Sequence, residues 1–355
     1  MKHVTVDARM INASGIGTVI KNILKRIIPQ KREWHFYILG NIAELKKFDF
    51  LCQSNTELII CDAPIYSIKE QFALIKSIPE DTDVFWAPHY NIPLFYFGRL
   101  VVTVHDVFHL AMPQFVKGIH KRAYARFMFE MVKRKADKII AVSNFTAFEL
   151  EKYVHVPKEK ITVIYNGIDE EWFNVERGED VHDKPYILYV GNVKPHKNLV
   201  TLVKAFMKIK DKVDYDLIIV GKKEGFITGD QEIAKMAAEE PNRIIFTGFV
   251  EDEQLKQYYK QAAIFVFPSL YEGFGLSPLE ALATGCNRVI CSDAASLPEI
   301  CGDMVQYFNP NDEESLAYAI LESNTKRTLI NSMPYSWNIC VKKYKMCIEG
   351  VFRGE

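Results

Sequence analysis

Short runs of β-branched and aromatic residues alternate with amphipathic stretches along the whole chain, and this alternation constrains the fold most strongly. In the first half, Val4–Asp7 and Leu100–Val104 have strand character, while Thr18–Ile28 and Lys121–Lys135 have helical periodicity. A second series of the same kind begins at Tyr186–Val190. Alternation of this kind is typical of βαβ units around a parallel sheet. The sequence therefore predicts an α/β protein with two doubly wound, Rossmann-like domains.

A polar, charged stretch separates the two series and predicts the domain organisation. We expect an N-terminal domain over 1–168, a linker over 169–184 and a C-terminal domain over 185–332. The remaining segment, 333–355, contains an amphipathic helix, and a return of that helix to the N-terminal domain is one option for it. Ligands of open parallel sheets bind at the carboxyl ends of the strands. We therefore expect the two domains to face each other across a binding cleft.

Composition excludes several classes of protein. The chain has 44 lysines and arginines against 45 acidic residues, so no global positive field favours nucleic acid as a partner. No apolar run reaches the roughly 18–20 residues that span a bilayer, and the N-terminus lacks the pattern of a signal peptide. The seven cysteines include no CxxC pair, which argues against a disulfide scaffold or a zinc finger. These features predict a cytoplasmic enzyme.

The segment from Pro268 to Gly285 is the strongest candidate for a binding site. It follows a predicted strand and leads into a helix that we expect to begin near Ser277. Gly273 and Gly275 allow main chain to approach a ligand closely, and the free N–H groups at a helix start suit phosphate or sugar oxygens. A simple glycine turn before a capped helix would explain less of this segment.

Glu272 and Glu280 flank this loop with seven residues between them, and they resemble the E-x7-E signature of the retaining GT-B glycosyltransferases of family 4 (group 1). The subgroup that the chain resembles contains bacterial O-chain and polysaccharide mannosyltransferases. Other matching segments are Asp7-Ala8-Arg9, Gly15-Ile16-Gly17, His105-Asp106, Tyr165–Asp169, Gly191–Leu199, Gly248-Phe249-Val250 and Ser296–Ile300. The resemblance covers nearly the whole chain and implies a GT-B fold.

The resemblance also implies roles for individual residues. Lys197 would stabilise the departing diphosphate of a nucleotide-sugar donor, although a lone lysine is more often simply solvated. Glu272 and His105 would complete the catalytic set beside the donor sugar. The predicted donor-binding residues are Asn192, Gly248, Phe249, Gly273, Phe274, Gly275, Leu276 and Glu280, with Glu280 on the ribose.

Asn192 departs from the family pattern, because many relatives have an arginine five residues before the lysine. The sequence leaves open whether Lys197 acts alone or whether His196 or Lys194 also contributes charge.

The Gly15-Ile16-Gly17 loop follows the first strand and opens the first helix. It does not fit a dinucleotide fingerprint, because Ile20 occupies the third glycine position and Gly40 stands where an acid should end the second strand. The resemblance implies contact with phosphate or acceptor. A tight strand-to-helix turn explains Ile16 equally well.

No metal or other cofactor is expected. Asp81-Thr82-Asp83 and Asp214-Tyr215-Asp216 have D-x-D spacing, but they lie at strand starts, opposite the edge that binds ligands. No metal-binding motif surrounds His89, His105 or His109.

The segment Lys117–Lys138 carries eight cations and two acids. Such a basic amphipathic stretch suits an anionic membrane surface, where lipid-linked acceptors would be found. An ordinary helix with its apolar face in the core explains it equally well.

Together, these features predict a retaining glycosyltransferase that moves a hexose, mannose from GDP-mannose, onto a saccharide or lipid-linked saccharide acceptor in surface-polysaccharide synthesis. It would act in the cytoplasm, with peripheral contact at the inner face of the membrane as an option. One alternative is a member of the same family that uses a UDP-sugar. The other is a non-catalytic nucleotide- or sugar-binding protein, which Asn192 favours.

Overall fold

A computed structural model describes residues 1–221, 231–322 and 334–354 of the chain. The chain divides into two compact units, one formed by Met1–Gly167 with Tyr335–Glu355 and the other by Ile168–Pro334. The predicted boundary at residues 332 and 333 lies outside the described residues. Residues 169–184, which we expected to form a linker, belong to the second unit.

The first unit is built on a seven-stranded parallel sheet. Its strands are β1 (Lys2–Asp7), β2 (Trp34–Gly40), β3 (Thr56–Ile60), β4 (Val84–Ala87), β5 (Arg99–Val104), β6 (Lys138–Ala141) and β7 (Ile161–Val163). The strand order is β3-β2-β1-β4-β5-β6-β7. The first six strands follow the Rossmann order, in which the strand order reverses between β1 and β4, and ligands bind at such a switch point.

Six helices connect these strands. They are α1 (Ser14–Gln30), α2 (Ile42–Leu45), α3 (Ile68–Ser77), α4 (Phe108–Ala111), α5 (Ile119–Lys135) and α6 (Asn144–Glu149). Helix α3 begins where the Ser67 hydroxyl accepts a hydrogen bond from the Glu70 N–H, an N-cap of the usual kind.

Both faces of the first sheet are buried. Along β4, Val84 and Trp86 belong to one apolar cluster, while Phe85 and Ala87 belong to another. Since successive side chains of a strand point to opposite faces, the two clusters lie on opposite faces of the sheet. The sheet is therefore doubly wound, as predicted.

The second unit contains a six-stranded parallel sheet with the same topology. Its strands are β8 (Tyr186–Val190), β9 (Asp216–Val220), β10 (Ile244–Gly248), β11 (Ile264–Phe267), β12 (Val289–Ser292) and β13 (Gln306–Phe308). The order β10-β9-β8-β11-β12-β13 repeats the Rossmann order, so the switch point lies between β8 and β11.

The helices described in this unit are α7 (Leu199–Ile209), α8 (Gln231–Glu239), α9 (Asp252–Gln261), α10 (Leu276–Ala283), α11 (Leu297–Cys301) and α12 (Glu313–Leu321). Side-chain amides of α9 hold the segment that precedes β8. Gln257 accepts a hydrogen bond from the Gly178 N–H at 2.8 Å, and Gln261 accepts one from the Val181 N–H at 3.0 Å. These bonds explain why residues 169–184 form part of the second unit.

The last helix, α13 (Trp337–Arg353), belongs to the first unit. Its apolar face packs into the core cluster that contains Val84 and Trp86, and the Tyr344 hydroxyl lies 3.1 Å from the hydroxyl of Thr103 on β5. Across the described parts of the chain, every helix is too short or too polar to cross a membrane.

Candidate active site

The switch point of the second sheet brings Lys197 and Glu272 together. Strand β8 leads into a single 3₁₀ turn, Pro195–Lys197, before α7, and β11 leads into the loop that contains Glu272. Lys197 Nζ donates a hydrogen bond to Glu272 Oε1 at 2.5 Å, and the two side chains are 20% and 14% exposed. Because β8 and β11 are neighbours, two residues 75 positions apart form an ion pair at the ligand-binding edge.

The glycine-rich loop after Glu272 is held in place by hydrogen bonds to its main-chain carbonyl groups. Gly275 has φ +93° and is the N-cap of α10. The helix begins at Leu276, one residue earlier than the expected start at Ser277. The buried Ser296 hydroxyl donates to the carbonyl oxygens of Glu272 and Phe274, at 3.0 and 3.1 Å. Since the first N–H groups of an α-helix have no partner within the helix, α10 offers donors and its positive dipole end beside Lys197.

Asn198 fixes the backbone next to Lys197, a function that sequence reasoning missed. It adopts a left-handed conformation, with φ +57°, and its buried side chain donates to the carbonyl oxygens of Pro268 and Pro310, at 3.1 and 2.8 Å. The Thr201 hydroxyl donates to Asn198 Oδ1 at 2.8 Å. This network ties the lysine turn to the end of β11. The Lys-Asn pair at a helix start was the sequence signal that could have identified it.

The neighbours of Lys197 contribute unequally to the local charge. Burial, and then the charges of Lys197 and Lys194, lower the pKa of His196 to about 3. His196 is therefore neutral near pH 7 and adds no positive charge. Asn192 is exposed, and its carbonyl oxygen accepts a hydrogen bond from the Tyr189 hydroxyl at 3.0 Å.

Glycines occupy the ends of three adjacent strands at the same edge of the sheet: Gly191 follows β8, Gly221 follows β9 and Gly248 ends β10. A Cβ at Gly221 would lie 2.2 Å from the Gly191 carbonyl oxygen, so this approach requires glycine. Gly248 has φ +79°, and nothing lies within 4 Å of the position that a Cβ would occupy. Phe249, the next residue, is exposed, which leaves its ring accessible at this edge.

Glu280 lies on α10, one turn beyond the loop, and is partly buried. The Tyr259 hydroxyl donates to Glu280 Oε2 at 3.1 Å. Burial raises the pKa of Glu280 to about 7, because the hydrogen bond from Tyr259 only partly offsets the loss of solvation. Near neutral pH, the charged and neutral forms of this carboxyl are therefore both populated.

The raised pKa predicts a pH-dependent stability. Since the pKa of Glu280 rises from 4.5 to about 7 on folding, its contribution to the free energy of unfolding is fully present below pH 4.5 and is lost as pH rises through 7. Glu280→Gln removes this titration. We expect the variant to gain about 3 kcal/mol relative to the wild type between pH 4.5 and pH 8, measured by urea unfolding at both pH values. The same substitution at the exposed Glu57 is the control, and an equal gain there would contradict the assignment.

The switch point of the first sheet carries a buried ionic cluster, which the sequence did not predict. Arg9 donates to both oxygens of Asp7, at 2.8 and 2.6 Å, and to Glu70 Oε1 at 2.7 Å. His89 Nε2 lies 3.6 Å from Asp7 Oδ2. Burial alone would raise the pKa of Asp7, but the hydrogen bonds from Arg9 and the positive charge of its guanidinium outweigh it and hold this pKa well below its usual range. The Asp-Ala-Arg segment at the end of β1 was the sequence signal.

His105 follows β5 at the same edge of the first sheet. Its Nε2 lies 2.8 Å from the Pro88 carbonyl oxygen, which can only accept, so Nε2 carries the proton. Burial lowers the pKa of His105. The imidazole is therefore neutral near pH 7, with Nδ1 as its hydrogen-bond acceptor.

Gly15, Ile16 and Gly17 lie in the first turn of α1, which begins at Ser14. Gly17 is required by packing, because a Cβ there would lie 2.3 Å from the Ile11 carbonyl oxygen. Ile16 packs against the core of the first unit. Gly15 is exposed and has open space around it, so it is the residue of this turn that a ligand could approach.

Within residues 1–221, 231–322 and 334–354, no three His, Cys, Asp or Glu side chains are grouped in a way that could hold a metal ion. Both D-x-D segments lie directly before or at the start of a strand, since Asp83 precedes β4 and Asp216 begins β9. Asp216 pairs with His182 at 2.7 Å and with Arg243 at 3.1 Å, which gives it a structural role.

Comparison with known proteins identifies the family. Residues 170–332 match the family described as "Glycosyl transferases group 1", and residues 64–172 match "Glycosyltransferase Family 4".

Named relatives include bacterial mannosyltransferases. The O-antigen chain mannosyltransferase B of Escherichia coli is 28% identical over 72% of this chain and 74% of its own length. The O-antigen chain mannosyltransferase RfbU of Salmonella typhimurium is 32% identical over 65% of this chain and 62% of its own length. The serotype-specific mannosyltransferase WbdA of Escherichia coli is 28% identical over 62% of this chain, but the match spans only 29% of that longer protein.

Solved structures confirm the fold class. HepE from Anabaena, solved with UDP and glucose, superposes with a TM-score of 0.77 at 16% identity and covers 99% of this chain and 100% of that chain. A sucrose-phosphate synthase from Thermosynechococcus elongatus gives a TM-score of 0.75 at 18% identity, over 100% of both chains. With its two Rossmann-like sheets and its matches to the group 1 and family 4 glycosyltransferase models, the chain is a glycosyltransferase of the GT-B fold.

Proposed function

We propose that this glycosyltransferase moves mannose from GDP-mannose onto a saccharide or lipid-linked saccharide acceptor in surface-polysaccharide synthesis, with retention of configuration at the anomeric carbon. The names of the O-antigen relatives support the choice of mannose. The observation that carries the proposal is the Lys197–Glu272 ion pair beside the start of α10, at the switch point of the second sheet.

Lys197 stabilises the departing diphosphate. As the bond between the anomeric carbon and the diphosphate oxygen breaks, the diphosphate takes the electron pair and its negative charge grows. An ammonium has three N–H donors, and Glu272 accepts one of them, so two remain for diphosphate oxygens. Because this interaction strengthens as the bond breaks, it lowers the barrier rather than merely binding the donor.

The glycine-rich loop and α10 bind the rest of the donor. The main-chain amides of Gly273–Leu276, together with the Glu272 side chain, hold the sugar and the adjoining phosphate. Glu280 binds the ribose hydroxyls. Asn192, Gly248 and Phe249 complete the donor side, where the exposed ring of Phe249 is available to stack on the base.

The first unit presents the acceptor. His105 offers its neutral Nδ1 to a hydroxyl of the donor sugar. The turn of Gly15, Ile16 and Gly17 contacts phosphate or acceptor through Gly15. We assign no metal to the reaction, because the Lys197 cation supplies the charge that a metal would otherwise provide.

A donor screen tests this proposal. The purified protein is incubated with a lipid-linked oligosaccharide pool and, separately, with GDP-mannose, UDP-glucose or UDP-N-acetylglucosamine, each with and without EDTA. We expect transfer from GDP-mannose, retention of the anomeric configuration by NMR, and rates with and without EDTA that agree within about twofold. Transfer from UDP-sugars alone, an inverted product or loss of activity with EDTA would each contradict the corresponding part of the proposal.

We also propose that the reaction takes place on the cytoplasmic side of the membrane. All seven cysteines lie within the described residues and are free thiols, and five of them are buried. Free thiols in this number are typical of a reducing compartment.

A further inference from the structure

Large apolar side chains are exposed on three neighbouring segments of the first unit. Their exposed fractions lie between 51% and 87%, and the residues are Phe72 on α3, Phe95 and Phe97 before β5, and Ile119 and Phe127 on α5. Scattered exposed apolar residues need no explanation, but a group of them on one surface marks an interaction site.

The first two segments are fixed to each other by Gln71, whose side chain is buried. Gln71 Nε2 donates to the Ile92 carbonyl oxygen at 3.2 Å, and Gln71 Oε1 accepts from the Leu94 N–H at 2.7 Å. These bonds hold residues 92–94 against α3. On the outer side, the rings of Phe72 and Phe95 stack with centroids 6.0 Å apart.

Helix α5 joins this pair through a stripe of side chains at i, i+3 and i+4 spacing, Tyr124, Phe127, Met131 and Lys135. The Tyr124 hydroxyl donates to Asn91 Oδ1, and Lys135 Nζ lies 4.3 Å from the centroid of the Phe97 ring. The two ends of the stripe thus contact residues 91–97. Phe127 lies between them and is exposed.

The same part of α5 is strongly basic. Residues 107–129 contain no acidic residue, and the four cations Lys117, Lys121, Arg122 and Arg126 are exposed. None of these four forms an ion pair with any residue that the structure describes. Lys69 and Lys76, on α3, are also exposed. Unpaired cations beside exposed aromatic rings suit an anionic and partly apolar partner.

Most of the apolar side chains on which the membrane hypothesis for Lys117–Lys138 depended are not the ones that the structure exposes. The apolar side chains at Ala125, Met128, Phe129 and Val132 are buried in the core of the first unit. They cannot enter a bilayer while the protein is folded. The exposed apolar groups are instead the five residues named above, three of which come from outside that segment.

We propose that this aromatic–basic surface, formed by Phe72, Phe95, Phe97, Ile119 and Phe127 with the cations of α3 and α5, docks on an anionic phospholipid bilayer. Aromatic rings favour the boundary between lipid headgroups and acyl chains, and lysine and arginine near the membrane are attracted by anionic headgroups. The combination of apolar insertion with a basic patch supplies two signals, which stable peripheral binding requires. This inference does not depend on which donor the enzyme uses.

Vesicle co-sedimentation of the full chain tests this proposal. Vesicles of phosphatidylcholine alone are compared with vesicles that contain about 30% phosphatidylglycerol, at 0.1 M and 1 M salt. We expect binding only to the anionic vesicles and its loss at 1 M salt, where the screening length falls to about 3 Å. Lys121→Glu/Arg122→Glu and Phe95→Ser/Phe97→Ser are each expected to weaken partitioning at least about tenfold.

Matched controls distinguish a specific effect of this surface from a general effect of altered charge or of unfolding. Lys342 and Lys343 are adjacent exposed lysines on α13, which packs into the cluster on the opposite face of the same sheet. Lys342→Glu/Lys343→Glu gives the same change of charge as the α5 variant and should change binding less than about twofold. Thermal unfolding checks that each variant is folded.

Equal binding to both kinds of vesicle, no binding to either, or equal loss in the α5 and α13 variants would overturn the proposal. Light scattering tests the alternative occupant of this surface, a second copy of the chain. If the wild type self-associates and the α5 or Phe95/Phe97 variants become monomeric without a change in vesicle binding, the surface is an interface between copies of this chain. Because all these readouts measure binding, a failed donor screen would leave their outcome unaffected.

Discussion

Lys197→Ala is expected to lower kcat by roughly 10²–10³-fold, the cost of removing one preorganised donor to a developing negative charge. The dissociation constant of the donor should change by less than about fivefold, because α10 and the glycine-rich loop remain to bind it. Steady-state kinetics with the donor identified by the screen give kcat, and calorimetric titration of the same donor gives its affinity. This split separates a transition-state function from simple binding.

Lys208→Ala is the control for Lys197→Ala. Lys208 lies at the other end of α7 and forms a surface ion pair with Glu314, so its removal should leave kcat within about twofold. A Lys197→Ala enzyme with nearly normal kcat and weakened donor affinity would show that this lysine only binds substrate. Loss of activity in both variants would point to general destabilisation.

Gly275→Ala is expected to have the second largest effect. Its φ of +93° is strained for any residue with a Cβ, and the added Cβ would lie 2.6 Å from Leu297 Cδ2. The backbone cost is roughly 1–2 kcal/mol and overpacking adds about 1–3 kcal/mol, so the free energy of unfolding should fall by about 2–5 kcal/mol. Since the residue starts α10 beside the ion pair, kcat/KM should fall by at least about tenfold even at temperatures where the variant is folded.

Two further variants test the cause of the Gly275→Ala effect. Gly302→Ala also changes a glycine with positive φ, but nothing lies within 4 Å of the Cβ position. It should therefore lose stability without loss of kcat/KM. Leu297→Val shortens the side chain that the new Cβ meets, and it should restore part of the stability of Gly275→Ala. If Gly275→Ala and Gly302→Ala behaved alike, the close contact with Leu297 would have no special importance.

The fold was largely predictable from sequence because buried parallel strands read as short β-branched runs. The alternation of strands and helices predicted two doubly wound sheets, and the strand orders confirm this fold class. Strand β13 was missed. It has only the three residues Gln306–Phe308, and two of them are partly exposed, so the strand carries too little pattern to be recognised.

The site was predictable only in part, because its contacts join remote segments. Lys197 and Glu272 were each selected from local pattern and resemblance, but their direct ion pair depends on the adjacency of β8 and β11. The Lys-Asn pair marks Asn198 in the sequence, but its partners Pro268 and Pro310 were hidden because they lie 70 and 112 residues away. The contact of Arg9 with Glu70 was hidden for the same reason, because Glu70 is 61 residues distant.

The basic segment Lys117–Lys138 shows why sequence alone left two interpretations open. Its helical periodicity is real, and the structure uses Met128, Phe129 and Val132 for the core. The apolar groups that remain exposed around it include Phe72, Phe95 and Phe97. They come from other segments, and only the folded first unit brings them near α5.

The position of a bound nucleoside diphosphate tests the central claim most directly. A crystal structure of the protein with GDP, or with UDP if the donor screen selects it, would give the distance from Lys197 Nζ to the nearest β-phosphate oxygen. We expect this distance to be about 2.7–3.2 Å, with the same phosphate reached by the main-chain N–H groups at the start of α10. A diphosphate bound elsewhere, with the ammonium group turned towards solvent and more than about 5 Å from any phosphate oxygen, would contradict the assignment of the site.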